Sequence, residues 1–272
     1  MNVPSVSVIL PAYNCEKFIG KAIQSVLQQT LTDFELIIVN DGSTDNTESI
    51  ILTFTDPRIV YQKNSENKGL IYSLNKAIEI ADGKYIARMD ADDICLPGRL
   101  ARQKTFLDQN EDIAVVASTI DFINEQEEKK GIWELDRKTI TPQQIKKAIL
   151  KQNCIAHPTV MIRSEIAKKN KYKEYQKNIE DYDLWLRLLN RGFSISKINE
   201  PLLLYRLHGS SVTSIHLKKS NPFFKHMWMK TRFLFGELFS GRFSIFLFWV
   251  LFYAKLDFIK GIGKSIKSLF GK

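Results

Sequence analysis

The chain has 272 residues, 44% of them hydrophobic, enough for one large α/β domain or two small ones and incompatible with disorder throughout. Its three cysteines, Cys15, Cys95 and Cys154, are odd in number and share no CxxC spacing, so neither a disulfide framework nor a zinc knuckle is expected. The net charge of +9 is local: residues 217–272 hold 11 Lys and Arg against Glu237 and Asp257, whereas the 28 basic and 28 acidic residues ahead of them balance.

Over the first hundred residues apolar strand-like runs alternate with helical patterns, which predicts a parallel sheet flanked by helices. Residues 6–10 read as a first strand. Residues 16–29 carry Phe18, Ile19, Ala22, Ile23, Val26 and Leu27 on one helical face, and 34–39 form a second strand left through Asp41-Gly42-Ser43-Thr44. A helix at 46–54, a short strand at 59–61, a helix at 70–81 and a buried strand at 85–89 complete one nucleotide-binding half. Pro97 suits the first turn of a helix reaching about residue 109, because it forfeits no helical hydrogen bond there. Next come a strand at 113–122, a charged surface excursion at 124–138, a helix at 142–152 and a strand at 159–162. A helix at 181–189 turns Leu184, Trp185, Leu188 and Leu189 inward. The N-terminal run has no basic flank and no long apolar stretch, so no secretory signal and a cytoplasmic location are expected.

The sharpest local signal is Arg88-Met89-Asp90-Ala91-Asp92-Asp93 at the carboxyl end of a hydrophobic strand. Three carboxylates so close repel one another, and a divalent cation is the simplest offset. Hard oxygen ligands suit Mg2+ or Mn2+ together with substrate phosphates. A solvated acidic turn before the helix at Pro97 is the plainer alternative. Asn40-Asp41-Gly42-Ser43-Thr44-Asp45 follows the second strand, where open α/β sheets bind ligands and an acidic residue can accept hydrogen bonds from a base or ribose. The same residues also make ordinary turn and cap chemistry. Pro11-Ala12-Tyr13-Asn14 puts an aromatic ring on that edge. Gly261-Ile262-Gly263-Lys264-Ser265 looks like part of a phosphate-binding loop, but Phe258 stands where the first glycine belongs and no strand precedes it.

Together, VSVILPAYN at 6–14, DFELIIVNDGSTDNT at 33–47, ENKGLIYSLNKAI at 66–78 and GKYIARMDADDICLPGRL at 83–100 resemble the family-two glycosyltransferases of the GT-A fold. HPTVMIR at 157–163, EDYDLWLRL at 180–188 and YRLHGSSVT at 205–213 follow in the family's order. The resemblance implies a mostly parallel central sheet flanked by helices and a nucleoside-diphosphate sugar donor, with UDP first and dTDP sharing the same base edge. Pro11, Tyr13 and Asp41 then correspond to the nucleoside pocket, with Asn67, Lys68 and Arg88 as further donor contacts. Asp90-Ala91-Asp92 matches the family's DxD, which holds Mn2+ or Mg2+ against the donor diphosphate. Asp93 stands beside it, leaving open whether Asp92 or Asp93 is the principal ligand, and His208 matches a late motif near the metal. Asp181 matches the catalytic base of a single, inverting displacement, although a carboxylate at that position also suits a helix N-terminus. Glu180 and His157 fall on the acceptor side. A catalytically silent nucleotide-sugar-binding protein at the membrane would keep Asp41 and the acidic triplet, but Asp181 in its motif counts against it.

These matches divide the chain into a catalytic domain at 1–213, with its nucleotide-sugar half at 1–100 and its acceptor half at 101–213, and a helical tail at 214–272. The tail carries 11 of the 17 Phe. Its longest uncharged run, residues 243–254, is 12 residues, short of the roughly 20 that a spanning helix needs. Beyond it Ile262, Ile266, Leu269 and Phe270 share one helical face, largely opposite Lys260, Lys264 and Lys267. That is the pattern of an amphipathic, membrane-associating helix on an anionic surface, with a cap on the catalytic domain or an oligomer contact as alternatives. A peripheral position on the inner face of the cell membrane suits a glycan or polyprenyl-diphosphate-linked acceptor in surface polysaccharide synthesis. No nucleic acid is expected as a partner.

Overall fold

The central strand β1 (Val6–Ala12) is buried along its whole length, as a parallel strand covered on both faces must be. The computed structural model describes residues 3–209 and 221–269, with the side chains of the last helix described as far as Ser265. Residues 210–213 of the late motif, His216, the boundary expected at 213/214, the side chains of Ile266, Lys267 and Leu269, and Phe270 lie outside the described residues.

In chain order β1 leads to α1 (Ile19–Leu27), β2 (Phe34–Asn40), α2 (Thr47–Ile51), β3 (Ile59–Lys63), α3 (Leu70–Ile80) and β4 (Tyr85–Arg88). The strands lie in the order β3-β2-β1-β4, all parallel. Inward and outward residues alternate along them. Ile9, Ile37 and Val39 enter the hydrophobic cluster on one face of the sheet, whereas Val8, Leu10, Leu36 and Ile38 enter the cluster on the other. The chain leaves β1 toward β2 and later returns to the opposite side of β1 as β4, which opens a crevice at the carboxyl ends of β1 and β4, the usual ligand site of an open α/β sheet.

The remainder is β5 (Ile94–Cys95), α4 (Arg99–Gln109), β6 (Ile113–Ile123), β7 (Lys129–Ile132), α5 (Glu134–Lys138), α6 (Pro142–Ile149), β8 (Met161–Arg163), α7 (Ser164–Lys169), α8 (Glu180–Asn190) and β9 (Ser194–Arg206). The sheet has nine strands and continues β8-β6-β9-β5 beyond β4, with β7 on β6. Strand β8 runs antiparallel between β4 and β6, β6 and β9 are parallel, and β5 is antiparallel to β9. The acidic segment after β4 therefore crosses the mouth of the sheet to reach β5, directly beside the end of β9.

The segment 124–138 lies at the surface over most of its length, with β7 exposed throughout, but it is tied to the core at one point. Its β7 pairs with β6, and α5 buries Asp136, which accepts from the Ile120 N–H at 3.0 Å and from Lys197 Nζ at 2.6 Å. Its charge pattern reads as solvated because the partners of its buried groups lie far along the chain. The tail folds as α9 (Pro222–Phe239) and α10 (Ile245–Leu269). Met229, Phe233, Leu234, Phe246, Leu247 and Val250 join the same hydrophobic cluster as Trp185 and Leu188 of α8. Lys230 Nζ meets Asp257 at 2.7 Å with both side chains buried, and Asn221 Nδ2 donates to the Gly261 carbonyl at 3.0 Å. Gly261, part of the phosphate-loop lookalike, lies inside a helix; a Cβ there would stand 2.6 Å from the Phe224 ring, so this glycine lets the two tail helices approach. No described helix is long and apolar enough to cross a membrane. Even so, Phe239, Phe243, Ile245, Phe248 and Trp249 stay exposed, Phe239 by 89%.

Candidate active site

The turns after β1 and β2 are laced together. The Asn14 N–H donates to Ser43 Oγ at 3.1 Å, the Thr44 N–H to Asn14 Oδ1 at 2.9 Å and the Cys15 N–H to Thr47 Oγ1 at 2.8 Å. Pro11, Tyr13 and Asp41 are thereby brought to one rim, with Pro11 buried and Tyr13 exposed. Asp41 is buried, and its carboxylate accepts from Asn64 Nδ2 at 2.7 Å, the Lys68 N–H at 2.9 Å and the Gly69 N–H at 2.8 Å. It holds the 64–69 loop against β2. Gly42 follows with φ +67°, and a Cβ there would stand 2.5 Å from the Glu66 carbonyl carbon, so only glycine fits. Asn67 and Lys68 are exposed on this loop, the Lys68 ammonium 5.0 Å from the Tyr72 ring centre.

Asp90, Asp92 and Asp93 converge, each presenting an oxygen within 4.8 Å of the others, and Ala91 is buried between them. Arg88 Nη1 donates to Asp90 Oδ2 at 2.7 Å, and His208 Nε2 lies 2.8 Å from Asp92 Oδ2. Asp93 Oδ1 accepts the Arg206 N–H at 2.9 Å, while its Oδ2 is buried with no hydrogen-bond partner. Burial, with Asp92 and Asp90 beside it, pushes Asp93 well above the usual carboxylate range. Burial likewise lifts Asp90 to about 6; the Arg88 charge opposes the rise and Asp92 adds to it. An all-oxygen donor set with one orphaned buried oxygen and too much negative charge for its surroundings fits a hard divalent cation.

Asp181 begins α8. Its Oδ2 accepts from Asn153 Nδ2 at 2.7 Å and its Oδ1 from the Tyr182 N–H, also at 2.7 Å. Burial raises its pKa against those two hydrogen bonds. Glu180 is buried beside it, and desolvation followed by repulsion from Asp181 lifts it to about 7. Asp181 is near enough to Asp90 to add a small rise to its pKa, after burial and the nearer charges. The buried Arg88, whose Nε has no hydrogen-bond partner, acts electrostatically on Asp90, Asp93, Glu180 and Asp181 alike. His157 Nε2 lies 2.7 Å from the Tyr172 hydroxyl, and Trp185 packs edge-on to its ring. Burial, aided by Arg88, drives the His157 pKa well below its usual value, so the ring stays neutral.

Two residues of this region escape sequence reasoning. Arg206, in the late motif but overshadowed there by His208, donates from Nε to the Asp92 carbonyl at 2.7 Å and from Nη1 to the Asn124 carbonyl at 3.0 Å; its guanidinium stands 4.8 Å from the Phe18 ring centre. Asn153 gives no local signal, being 28 residues from the carboxylate it orients.

The crevice at β1 and β4, the acidic cluster on its rim and the buried carboxylate at the start of α8 suit a transferase of the α/β class. The chain belongs to glycosyl transferase family 2, whose model matches residues 7–170. It is 35% identical over 260 residues to an uncharacterized glycosyltransferase of Methanocaldococcus jannaschii, covering 94% of this chain and 88% of that protein. It is 34% identical to the UDP-Glc:alpha-D-GlcNAc-diphosphoundecaprenol beta-1,3-glucosyltransferase WfgD of Escherichia coli, covering 79% of this chain and 81% of that one. The fold resembles that of S. aureus TarS 1-349 in complex with UDP-GlcNAc, with a TM-score of 0.69 and 20% identity. That match covers 84% of this chain but 66% of the TarS chain, so this chain spans slightly less than two thirds of its structural relative.

Proposed function

We propose that the chain transfers a sugar from a nucleoside-diphosphate sugar, UDP-linked in the first instance, to a hydroxyl of a glycan or lipid-linked acceptor, inverting the anomeric carbon, in cell-surface polysaccharide synthesis. The observation that carries this reading is the convergence of Asp90, Asp92 and Asp93 on the sheet rim, with the buried Arg88 charge acting both on that cluster and on Asp181 at the start of α8. Tyr13 lies against the base, Pro11 closes the pocket beneath it, and Asp41 takes the base edge while holding Asn67 and Lys68 near the donor. Asp90, Asp92 and Asp93, with His208, hold Mn2+ or Mg2+, which would withdraw charge from the departing diphosphate. Asp181 removes the acceptor proton from the side opposite that leaving group. Its raised pKa brings the carboxylate closer to the working pH, as general-base catalysis favours. Glu180 and His157 shape the acceptor side.

The relative WfgD, named for a diphosphoundecaprenol acceptor, supports a lipid-linked acceptor. The exposed aromatic residues of α9 and α10 beside Arg242 and Lys255 support peripheral attachment to the cytoplasmic face of a membrane. The test is a panel of UDP-, dTDP- and GDP-sugars with Mn2+ or Mg2+, following nucleoside diphosphate release with and without GlcNAc-diphosphoundecaprenol. Metal-dependent release from one donor, stimulated by the lipid, is expected. Saturable donor binding with no release under any condition would sink the transferase reading.

A further inference from the structure

Between the 174–179 segment and α9 runs a solvent-open groove of about 280 Å3. Its walls include Tyr175, Gln176, Lys177, Lys225, Trp228 and Arg232, and none of the described residues that line it is acidic. It reaches Ile179, the residue immediately before Glu180 and Asp181. Lys225 Nζ donates to the Asn178 carbonyl at 3.1 Å, and its ammonium is close enough to feel the charges of Glu180 and Asp181. Arg232 Nη1 donates to the Tyr175 carbonyl at 2.8 Å, with the guanidinium centre 5.4 Å from the centre of the exposed Trp228 ring. Gln176 is buried at the floor of the groove, its Nε2 donating to Asp183 Oδ1 at 3.1 Å. Trp228, Arg232, Phe235 and Phe239 follow one another at helical spacing on one face of α9, and the three aromatic rings are exposed. A cationic groove that begins beside the candidate base thus continues into an apolar stripe.

We propose that this groove is the site of the acceptor's lipid-diphosphate stem, with Lys225 and Arg232 on the phosphates and Trp228, Phe235 and Phe239 along the lipid. The order of chemistry fits one molecule: a sugar hydroxyl at Asp181, negative charge at the two cations, then hydrocarbon along α9. The tail thereby becomes part of the acceptor site as well as a cap on the core. This inference rests on the transferase reading.

The test titrates farnesyl diphosphate into the full chain saturated with UDP and Mg2+, so that the donor site is filled, and repeats the titration with farnesol. Exposed Arg232→Gln, Lys225→Gln and the double variant are compared with the parent, using UDP affinity as the check on folding. The double variant should bind farnesyl diphosphate at least about tenfold more weakly, since charge-assisted contacts are lost, with UDP and farnesol affinities unchanged. Equal affinity of parent and double variant for farnesyl diphosphate would overturn the assignment. So would a loss confined to phosphatidylglycerol vesicles, which would give the groove to a bilayer headgroup. Failure of the parent to bind UDP would instead count against the donor reading, while the farnesyl diphosphate titration would still decide the groove.

Discussion

Asp93 has one oxygen on the Arg206 N–H and the other buried without a partner, a condition a neutral turn would not sustain. Asp92→Ala should weaken metal-dependent UDP-sugar binding about 10- to 100-fold; unchanged donor affinity in a calorimetric titration would remove Asp92 from the metal site. Asp181→Asn should leave donor and metal binding intact and lower turnover about 100-fold or more, so a variant with near-parent turnover would unseat it as the base. Because Glu180 is raised to about 7 and Asp181 is raised with it, the pair ionises late, and turnover should climb as pH rises from the ordinary carboxylate range toward neutrality. Removing one like charge, Glu180→Gln should move that rise to lower pH, visible in the pH profile of kcat/KM. Stability changes in the opposite direction. An unfolded chain releases the Glu180 proton near its ordinary pKa, so stability held below that value drains away as pH rises toward 7, and Glu180→Gln should be the more stable form at pH 8 by roughly 1 to 3 kcal/mol. The acidic triplet and Asp181 were legible because each sits in a contiguous motif. Asn153 and Arg206 were not, since their importance lies in what they touch.

At the scale of elements, β1, β2 and β4 were readable from apolar runs alone, because parallel strands buried on both faces leave an unbroken hydrophobic signal, whereas β3, half-buried at the sheet edge, leaves a weaker one. Strand β9 was not readable in this way. Its sequence SISKINEPLLLYR interrupts the pattern with Lys197, Glu200 and Pro201, and its pairing with β6 shifts register opposite Thr119. In β9 the Lys197 side chain is wholly buried against Asp136 of α5, 61 residues away in the chain. The tail hairpin depends on a similar pair. Lys230→Met should destabilise the fold by about 3 to 5 kcal/mol because it strands the Asp257 carboxylate, whereas Lys230→Met with Asp257→Leu should recover most of the loss. Thermal unfolding of both variants checks this, and a single variant as stable as the parent would mean that the hairpin does not rest on the pair.

For the molecule as a whole, the tail both closes one face of the core and presents aromatic rings outward. Replacing exposed rings, as in Phe239→Ser with Phe243→Ser, should reduce co-sedimentation with phosphatidylglycerol vesicles severalfold while leaving UDP affinity unchanged. Equal sedimentation of parent and variant would argue against attachment through this face. By itself the sequence determined the α/β class, the run of parallel strands that opens the fold, the family and the contiguous acidic triplet, because these depend on short-range patterns: strand periodicity, turn chemistry and contiguous motifs. Tertiary structure alone decided which distant charges meet. It anchored an exposed charged stretch by burying Asp136 against Lys197, enclosed Glu180 and Asp181 in a desolvated pocket, and laid Lys225 of the tail against the segment that precedes α8. Burial and electrostatic coupling belong to residues far apart in the chain, and periodicity records neither which of them will meet nor how much water will remain between them.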